Sequence, residues 1–554
     1  MTAFTQKKSN LFSSSNAAVA PSVFVRKGLE KAAETRSGNG AKKFSTTLDP
    51  FVDQFAKVGT YRAPRSFADI SNDCETLYDA DPLMAAKFAL YLRTITRKVS
   101  LLNGEVTDEP QKGAEMKHEA IMRMIWFQLN NPDVFWGNVG LFVSLGSWHD
   151  IFSMLQYDLV YNGWENRKLD WPKMGVLILS GLSNESSCNL VKKYLPQLKA
   201  RSACKTVEAQ ANCMIAKWIC SLVFGSGAVD KNTYKLYRQL KTSGTAHEWQ
   251  KLISQRKFSQ IDFGKIHGRA LNLLVKGKFL DNQGLKDKYA AWVGDAKDVK
   301  YTGFVHELFG SLPAKDKLEK HIKDTTNKQF ATLIEKGGEG FPSSFIVVRD
   351  TSGSMGSLAT GTKITCFNIA KSLALYFSEF LTGRFANSFI EFNSSAKLHV
   401  WKGKTPVDKW YNDSCNFVGS TNFQSVISLF VTLKQNGVEE SEFPTGILCI
   451  SDSEFDPGDI GKTNVESAKS KLKSAGFSQE YVDKFVIVLW NLQSNYYGPS
   501  TGQKFETLAT DKGTFYFSGY SASVISFLTK GVIETPRDLF NSAMDQQVLN
   551  MVKV

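Results

Sequence analysis

The hydrophobic period of this chain changes once, at residues 336–342, and that change limits the folds it can adopt. Before this Gly-rich segment, apolar residues recur every three to four positions, as in amphipathic helices. After it, short uninterrupted apolar runs alternate with helical stretches, which is typical of a mostly parallel sheet with helices on both faces. The sequence therefore predicts a multidomain α + α/β chain with a hinge at 336–342.

Residues 46–335 are predicted to form an all-α module of many short helices. Short amphipathic helices in series suggest stacked pairs of the HEAT-like repeat kind, and a compact irregular helical domain is the alternative. Residues 1–45, rich in small and polar residues, are predicted to be a flexible arm with a short helix around Val23–Ala33. The clearest helical periods are at Pro82–Leu92, Ala120–Leu129, Val139–Leu155, Met174–Leu182, Cys188–Leu198 and Val207–Phe224.

Residues 343–535 are predicted to form a doubly wound, Rossmann-like domain, followed by a tail or helix at 536–554. The apolar runs are short and bounded by turn residues, as expected for strands buried on both faces. The predicted strands are Phe345–Val348, Ser388–Phe392, Lys397–Trp401, Gly446–Ile450, Phe485–Trp490 and Thr514–Phe517, and the predicted helices are Lys363–Leu381, Asn422–Lys434, Val465–Ala475 and Ser521–Lys530.

The cysteine pattern and the hydropathy favour a cytoplasmic protein. No segment approaches the roughly 18 apolar residues that a membrane span needs, and the first 25 residues do not resemble a secretory signal. The eight cysteines include no Cys-x-x-Cys pair, and most lie in apolar surroundings, which indicates reduced, buried thiols. Because the seven histidines are scattered as well, the sequence argues against a zinc site.

The positive charge of the chain is confined to its N-terminal part. Residues 1–340 carry a net charge of +14 and residues 341–554 one of −1, and the segment 231–300 alone carries +9. A localised basic excess can mark a site for a polyanion such as nucleic acid. The alternative is a solvated basic surface without a partner.

Three predicted strand ends carry hydroxyl and carboxylate side chains. The first strand leads into Asp350-Thr351-Ser352-Gly353-Ser354, Thr421 precedes a later helix, and Asp452 follows the fourth strand. In sheets of this kind, ligands bind at the carboxyl ends of strands. Oxygen donors suit a hard cation such as Mg²⁺. The alternative to a cation site is a Gly/Ser-rich turn that only caps a helix. The chain lacks a complete nucleophile elbow and a phosphate-binding loop, so no enzymatic activity is expected.

The three loops together resemble the metal-ion-dependent adhesion site of von Willebrand factor A domains. The resemblance implies one divalent cation, with Mg²⁺ favoured and Mn²⁺ or Ca²⁺ as alternatives, and one coordination position open to an acidic group of a partner. Carried over residue by residue, it implies that the ligands are Asp350, Ser352, Ser354, Thr421 and Asp452.

A helical module joined to such a domain resembles the Ro (TROVE-like) proteins, in which helical repeats form an RNA-binding ring. The chain is more similar to an uncharacterised Ro-like family of plants, microbes and viruses, catalogued as a domain of unknown function. The helical region is shorter than a full Ro ring. The stretches that carry this resemblance are Tyr91–Arg97, Leu145–Ile151, Trp249–Ile266, Ser451–Asp456, Val488–Leu492 and Phe517–Ser521.

These features lead us to expect a ribonucleoprotein component that binds RNA through its basic helical module. Tyr237 or Trp249 could stack on bases, although tryptophans such as Trp148 and Trp249 are more often core residues than stacking surfaces. The alternative is a protein-interaction scaffold or a viral structural component that uses the metal site without RNA, and no membrane partner is expected. The candidate phosphate contacts are Arg256, Lys257, Lys265, His267, Arg269, Lys276 and Lys278.

Overall fold

The chain forms two compact units in the computed structural model, which describes residues 34–62, 65–199, 204–225, 230–244, 247–266, 268–337, 341–492, 504–529 and 532–554. Of these, 65–257 and 544–554 make up one unit, here called the helical unit. Residues 34–62 and 258–543 make up the other, here called the sheet unit. The sheet unit thus includes residues 34–45, which were predicted to belong to a flexible arm. It also includes residues 258–335, which were predicted to belong to the helical module. The helix predicted at Val23–Ala33 lies outside the described residues.

The first described segment joins the sheet unit by backbone pairing and by aromatic packing. Phe44 donates a backbone hydrogen bond to Phe505 and accepts one from it, at 2.7 and 2.9 Å. The Phe51 ring lies 5.3 Å from that of Phe540. This segment contains strands β1 (Glu34–Arg36) and β2 (Lys42–Phe44), which pair antiparallel, and helix α1 (Pro50–Ala56).

The helical unit contains ten of the described α-helices, and capping residues at their ends determine where several of them begin and end. The predicted period at Val139–Leu155 is split into two helices, because Ser147 and Asp150 form a capping box that starts the second one. At Gly146, between them, a Cβ atom would lie only 2.5 Å from the Asp150 carboxylate. The helices are α2 (Phe67–Ala80), α3 (Pro82–Arg93), α4 (Lys117–Asn130), α5 (Pro132–Leu145), α6 (Trp148–Asn162), α7 (Trp171–Ser183), α8 (Cys188–Tyr194), α9 (Val207–Phe224), α10 (Lys231–Ser243) and α11 (Glu248–Ser254).

Residues 258–337 are helical but belong to the sheet unit, because their apolar side chains pack on its helices. The Phe309 ring stacks on Trp410 at 5.0 Å, and Lys323 forms an ion pair with Asp408. This part of the unit contains helices α12 (Gly268–Lys276), α13 (Phe279–Asn282), α14 (Lys286–Asp295), α15 (Val305–Phe309) and α16 (Lys320–Gly337).

A six-stranded mixed sheet forms the centre of the sheet unit, and the predicted parallel strands are confirmed. The strand order is β5-β4-β3-β6-β7-β8, and only the edge strand β5 runs antiparallel to its neighbour. The strands are β3 (Phe345–Asp350), β4 (Ser388–Phe392), β5 (Ala396–Val400), β6 (Gly446–Ser451), β7 (Val486–Asn491) and β8 (Thr514–Ser518).

The central strands are buried along their whole length, which explains their uninterrupted apolar sequences. The last predicted helix is a 3₁₀ helix at Ala522–Thr529. No helix in the described ranges is both long and apolar enough to cross a bilayer. The remaining helices of the unit are α17 (Cys366–Ser378), α18 (Pro406–Asn412), α19 (Gln424–Gln435), α20 (Asn464–Ser474), α21 (Gln479–Lys484) and α22 (Pro536–Met544).

Candidate metal centre

Two of the three loops predicted to bind a cation lie at the carboxyl ends of the adjacent strands β3 and β6, whereas the third, with Thr421, connects helices α18 and α19 and does not directly follow a strand. The chain passes from β3 to β4 on one side of the sheet, and β6 lies on the other side of β3. Strand order therefore reverses between β3 and β6, and ligand-binding crevices form at such points. Backbone hydrogen bonds join the loops here: Gly353 donates to Gly419 at 3.1 Å, and Asp456 donates to Thr421 at 2.9 Å.

Asp350 lies at the base of the site, with its side chain completely buried. One carboxylate oxygen accepts a hydrogen bond from the Ser352 backbone N–H at 2.7 Å. The other accepts one from the hydroxyl of Ser451. Burial, and then the neighbouring charge of Asp452, raise the pKa of Asp350 to about 7. Ionisation of this carboxylate is therefore costly unless a positive charge lies nearby.

Asp452 is the second buried carboxylate of the site, only 5% exposed. Neither of its oxygens has a hydrogen bond of normal geometry to the described residues. Burial raises the pKa of Asp452, and the nearby Ser354 hydroxyl counteracts part of this effect. A buried carboxylate without full hydrogen bonding is costly unless a cation balances it. Asp452 thus fits the role of a metal ligand.

Three hydroxyl groups line one cavity next to the loops that carry the two carboxylates. The Ser352 and Ser354 oxygens are 3.1 Å apart, on a short 3₁₀ turn at Gly353–Gly356. Thr421, 3% exposed, lines the same cavity, whose volume is about 260 Å³. Two carboxylates and three hydroxyls suit Mg²⁺ or Mn²⁺, which prefer oxygen ligands and retain some water.

Further polar residues at this cavity were not identified from the sequence. The side-chain amide of Asn39 donates to the backbone oxygen of Glu454 at 2.6 Å and also contacts the Asp456 carboxylate. All three residues line the cavity. Glu454 and Asp456 could have been found, because they follow Asp452 in the same loop. No local pattern indicates Asn39, which lies more than 400 positions away.

A second group of residues in the sheet unit, which no sequence pattern indicated, could hold a metal ion. Glu391, His399 and Cys415 place one potential ligand atom each within 4.8 Å of the others. Burial raises the pKa of the Cys415 thiol well above its usual range. The scattering of cysteines and histidines along the chain gave no sign of this group, because a β-hairpin and a distant loop bring it together.

The candidate RNA contacts are divided between the two units. Arg256 and Lys257 are exposed in the helical unit, whereas the others described lie in the sheet unit. Arg269 is paired with Glu307 at 2.7 Å. Lys276 donates to the backbone oxygen of Leu308, and burial lowers its pKa to about 8. Lys265 and Lys278 are exposed, and His267 lies outside the described residues.

The aromatic residues considered for base stacking have different environments. Tyr237 is completely buried and donates its hydroxyl to the backbone oxygen of Pro196 at 2.9 Å. Trp148 is also buried, at 2% exposed. Trp249 is half-buried and stacks on His247, with ring centroids 6.1 Å apart. Of the three, only Trp249 has ring surface accessible within its unit.

The helical unit contains a basic cavity that the charge count did not locate. Its volume is about 1400 Å³, and side chains of α9 and α10 form most of its wall. Among the described residues, its wall includes no carboxylate, and its five cationic side chains have no ion-pair partner. Those five are Lys199, Lys217, Lys231, Lys235 and Arg238.

One comparison with known proteins bears on this site. Residues 344–553 match the model of a family described as a domain of unknown function, DUF7788. No curated protein matches the chain. The matched segment begins just before β3 and includes all five predicted cation ligands, whereas Asn39 precedes it. The chain is therefore similar to that family over the part that carries the candidate metal centre.

Proposed function

We propose that the sheet unit is a von Willebrand factor A-type domain that binds one divalent cation and, through it, an acidic group of a protein partner. The observation that carries this proposal is the pair of buried carboxylates, Asp350 and Asp452, beside three hydroxyls that face one cavity. Two carboxylates balance the charge of Mg²⁺, and an incoming carboxylate could replace one of its waters. Binding in this way requires no catalytic group.

Cation binding is expected to depend on the carboxylate of Asp452 and not on neighbouring exposed acidic residues. We expect the wild-type chain to bind one Mn²⁺ in isothermal titration calorimetry, and Asp452→Asn to weaken binding at least about tenfold, because the neutral amide loses most of its attraction for the cation. Asp459→Asn is the matched control, since Asp459 is partly exposed and paired with Lys471 at 3.6 Å. Equal Mn²⁺ affinity in the two variants would contradict the proposed site.

Capture of a partner is tested separately from cation binding. A protein retained by the wild-type chain in Mg²⁺ should be released by a chelator and should not be retained by Asp350→Ala. This comparison is valid only if Asp350→Ala is folded, which a cooperative thermal unfolding transition would show. If the partner protein is still retained in the presence of the chelator and by the Asp350→Ala variant, the cation has a structural role only.

For the helical unit we propose binding of single-stranded RNA, as its resemblance to Ro-like proteins implies. The specific support is the basic cavity of α9 and α10, whose described wall has five cations without ion-pair partners and no carboxylate. A phosphate backbone would neutralise these charges and release its counterions. The expected phosphate contacts are therefore the five cations of the cavity and not the residues between Arg256 and Lys278. The buried Tyr237 has no role in base stacking.

RNA binding through the cavity predicts a specific change in salt dependence. We expect Lys217→Ala/Lys235→Ala to weaken binding of a single-stranded RNA oligonucleotide and to reduce the slope of log K against log salt by about 1.4, at about 0.7 per phosphate contact. The measurement is fluorescence anisotropy across a salt series. Lys265→Ala/Lys278→Ala, which removes two exposed lysines of the sheet unit, is the control. Absence of binding at low salt would favour the alternative of a protein-interaction scaffold.

A further inference from the structure

The edge of the sheet opposite β8 brings three side chains of different chemistry together. Glu391 of β4 and His399 of β5 lie on the same face of the antiparallel pair, because Phe389 is opposite His399 and Glu391 is opposite Lys397. Cys415 reaches them from the loop after α18. Its sulfur lies 3.2 Å from a carboxylate oxygen of Glu391, and the Nε2 atom of His399 lies 2.7 Å from the same oxygen.

His399 contributes a buried ring nitrogen to this group. Its Nε2 atom is inaccessible to solvent and makes no hydrogen bond of normal geometry to a described residue, despite its closeness to Glu391. The imidazole is held in place by stacking on Phe389, with ring centroids 5.3 Å apart and planes at 13°. The nitrogen thus points at the space that Glu391 and Cys415 share.

We propose that Glu391, His399 and Cys415 form a second metal site, selective for Zn²⁺ or a cation of similar softness. Thiolate and imidazole ligands favour Zn²⁺ over Mg²⁺ or Ca²⁺. Tetrahedral Zn²⁺ with bonds of about 2.0–2.3 Å requires ligand atoms roughly 3.3–3.6 Å apart, and the three ligand atoms here all lie within 4.8 Å of one another. Three protein ligands leave a fourth position for water.

Neighbouring residues hold two of the ligands in position. The Thr351 hydroxyl donates to the second carboxylate oxygen of Glu391 at 3.2 Å, and the Cys415 backbone N–H donates to Asp413 at 3.2 Å. Such hydrogen bonds orient metal ligands and limit their freedom before the cation arrives. Zn²⁺ here would fasten the β4–β5 hairpin to the loop that continues to Thr421.

Cobalt substitution tests this site directly, because a Co²⁺–thiolate bond gives a charge-transfer absorption that oxygen ligands do not. With the full-length chain freed of metal, we expect one equivalent of Co²⁺ to produce this absorption and one equivalent of Zn²⁺ to abolish it. Cys415→Ser should remove the absorption, and Glu391→Gln should lower the Co²⁺ affinity at least about tenfold while preserving the side-chain shape. No thiolate absorption in the wild-type chain would overturn the proposal.

Matched controls separate this site from other thiols and from the oxygen site. Cys188→Ser and His247→Ala alter a half-buried cysteine and an exposed histidine of the helical unit, and both should leave the absorption unchanged. Asp452→Asn should leave it unchanged as well, so failure of one metal site is distinguishable from failure of the other. Absorption that persists in a folded Cys415→Ser variant would also overturn the assignment.

Discussion

Asp413→Ala should lower the free energy of unfolding by about 3–5 kcal/mol, because it leaves two buried cations without their counter-ion. Arg349 is completely buried, and its guanidinium forms two hydrogen bonds with the Asp413 carboxylate, at 2.7 and 3.2 Å. Lys371 lies 3.3 Å from the same carboxylate. Urea denaturation followed by circular dichroism measures the loss.

The same ion pairs predict acid sensitivity. Burial raises the pKa of Asp413, but the charges of Arg349 and Lys371 outweigh it and lower the pKa to about 2 from 3.8. A depressed pKa means that this stabilisation is fully present above about pH 4 and is lost as the pH falls towards 2. Wild type should therefore lose more stability than Asp413→Asn between pH 4 and pH 2. Parallel losses would contradict the prediction.

The control for Asp413 is an exposed pair in the same unit. Asp459, with 38% of its side chain exposed, lies 3.6 Å from Lys471. Because exposed ion pairs contribute about 0–1 kcal/mol, Asp459→Ala should cost less than about 1 kcal/mol in the same urea assay. A cost for Asp413→Ala no larger than this would mean that the buried cations find other partners.

Asp158→Ala is expected to destabilise the helical unit by at least about 3 kcal/mol. The buried Asp158 carboxylate accepts hydrogen bonds from the backbone of Lys168 and Leu169, from the Trp171 indole at 2.7 Å and from the Asn162 amide at 2.8 Å. Removing it leaves several donors unsatisfied, each at about 1–3 kcal/mol. Urea denaturation checks the loss, and faster amide exchange at residues 168 and 169 would locate it.

A neighbouring aspartate provides the comparison for Asp158. Asp170 caps α7 by accepting from the Lys173 backbone N–H at 3.1 Å, and its side chain is partly exposed. Its replacement by alanine should cost about 1 kcal/mol, the usual contribution of an N-cap. If the two alanine variants lose equal stability, the hydrogen bonds of Asp158 do not hold the loop before α7.

The strands were predictable because burial on both faces leaves an uninterrupted apolar sequence. β3 and β6 were found within two residues of their ends for this reason. The break after Leu145 was missed, since the apolar period continues through Gly146 and only the capping box of Ser147 interrupts it. The assignment of 258–337 to the sheet unit depends on tertiary packing, such as Phe309 on Trp410, which no local pattern records.

The five proposed cation ligands could be named from the sequence because each follows a strand or precedes a helix in a recognisable loop. Glu391 and His399 share a face only through the register of a hairpin, and Cys415 joins them from a separate loop. The basic cavity was missed for a related reason. Charge counted over a window of sequence includes lysines of both units, whereas Lys199 and Lys217 meet α10 only in the folded helical unit.

The pairing of β2 with residue 505 also determines when this part of the sheet unit can form during synthesis. Phe44 leaves the ribosome long before Phe505, its backbone partner. At about 5–20 residues added per second, the delay is roughly half a minute to a minute and a half. The apolar side chains of α1, including Phe51, remain without Phe540 for at least as long. The nascent chain therefore exposes this apolar segment until its partners have been synthesised, and the sheet unit cannot be completed before Phe540 has been added.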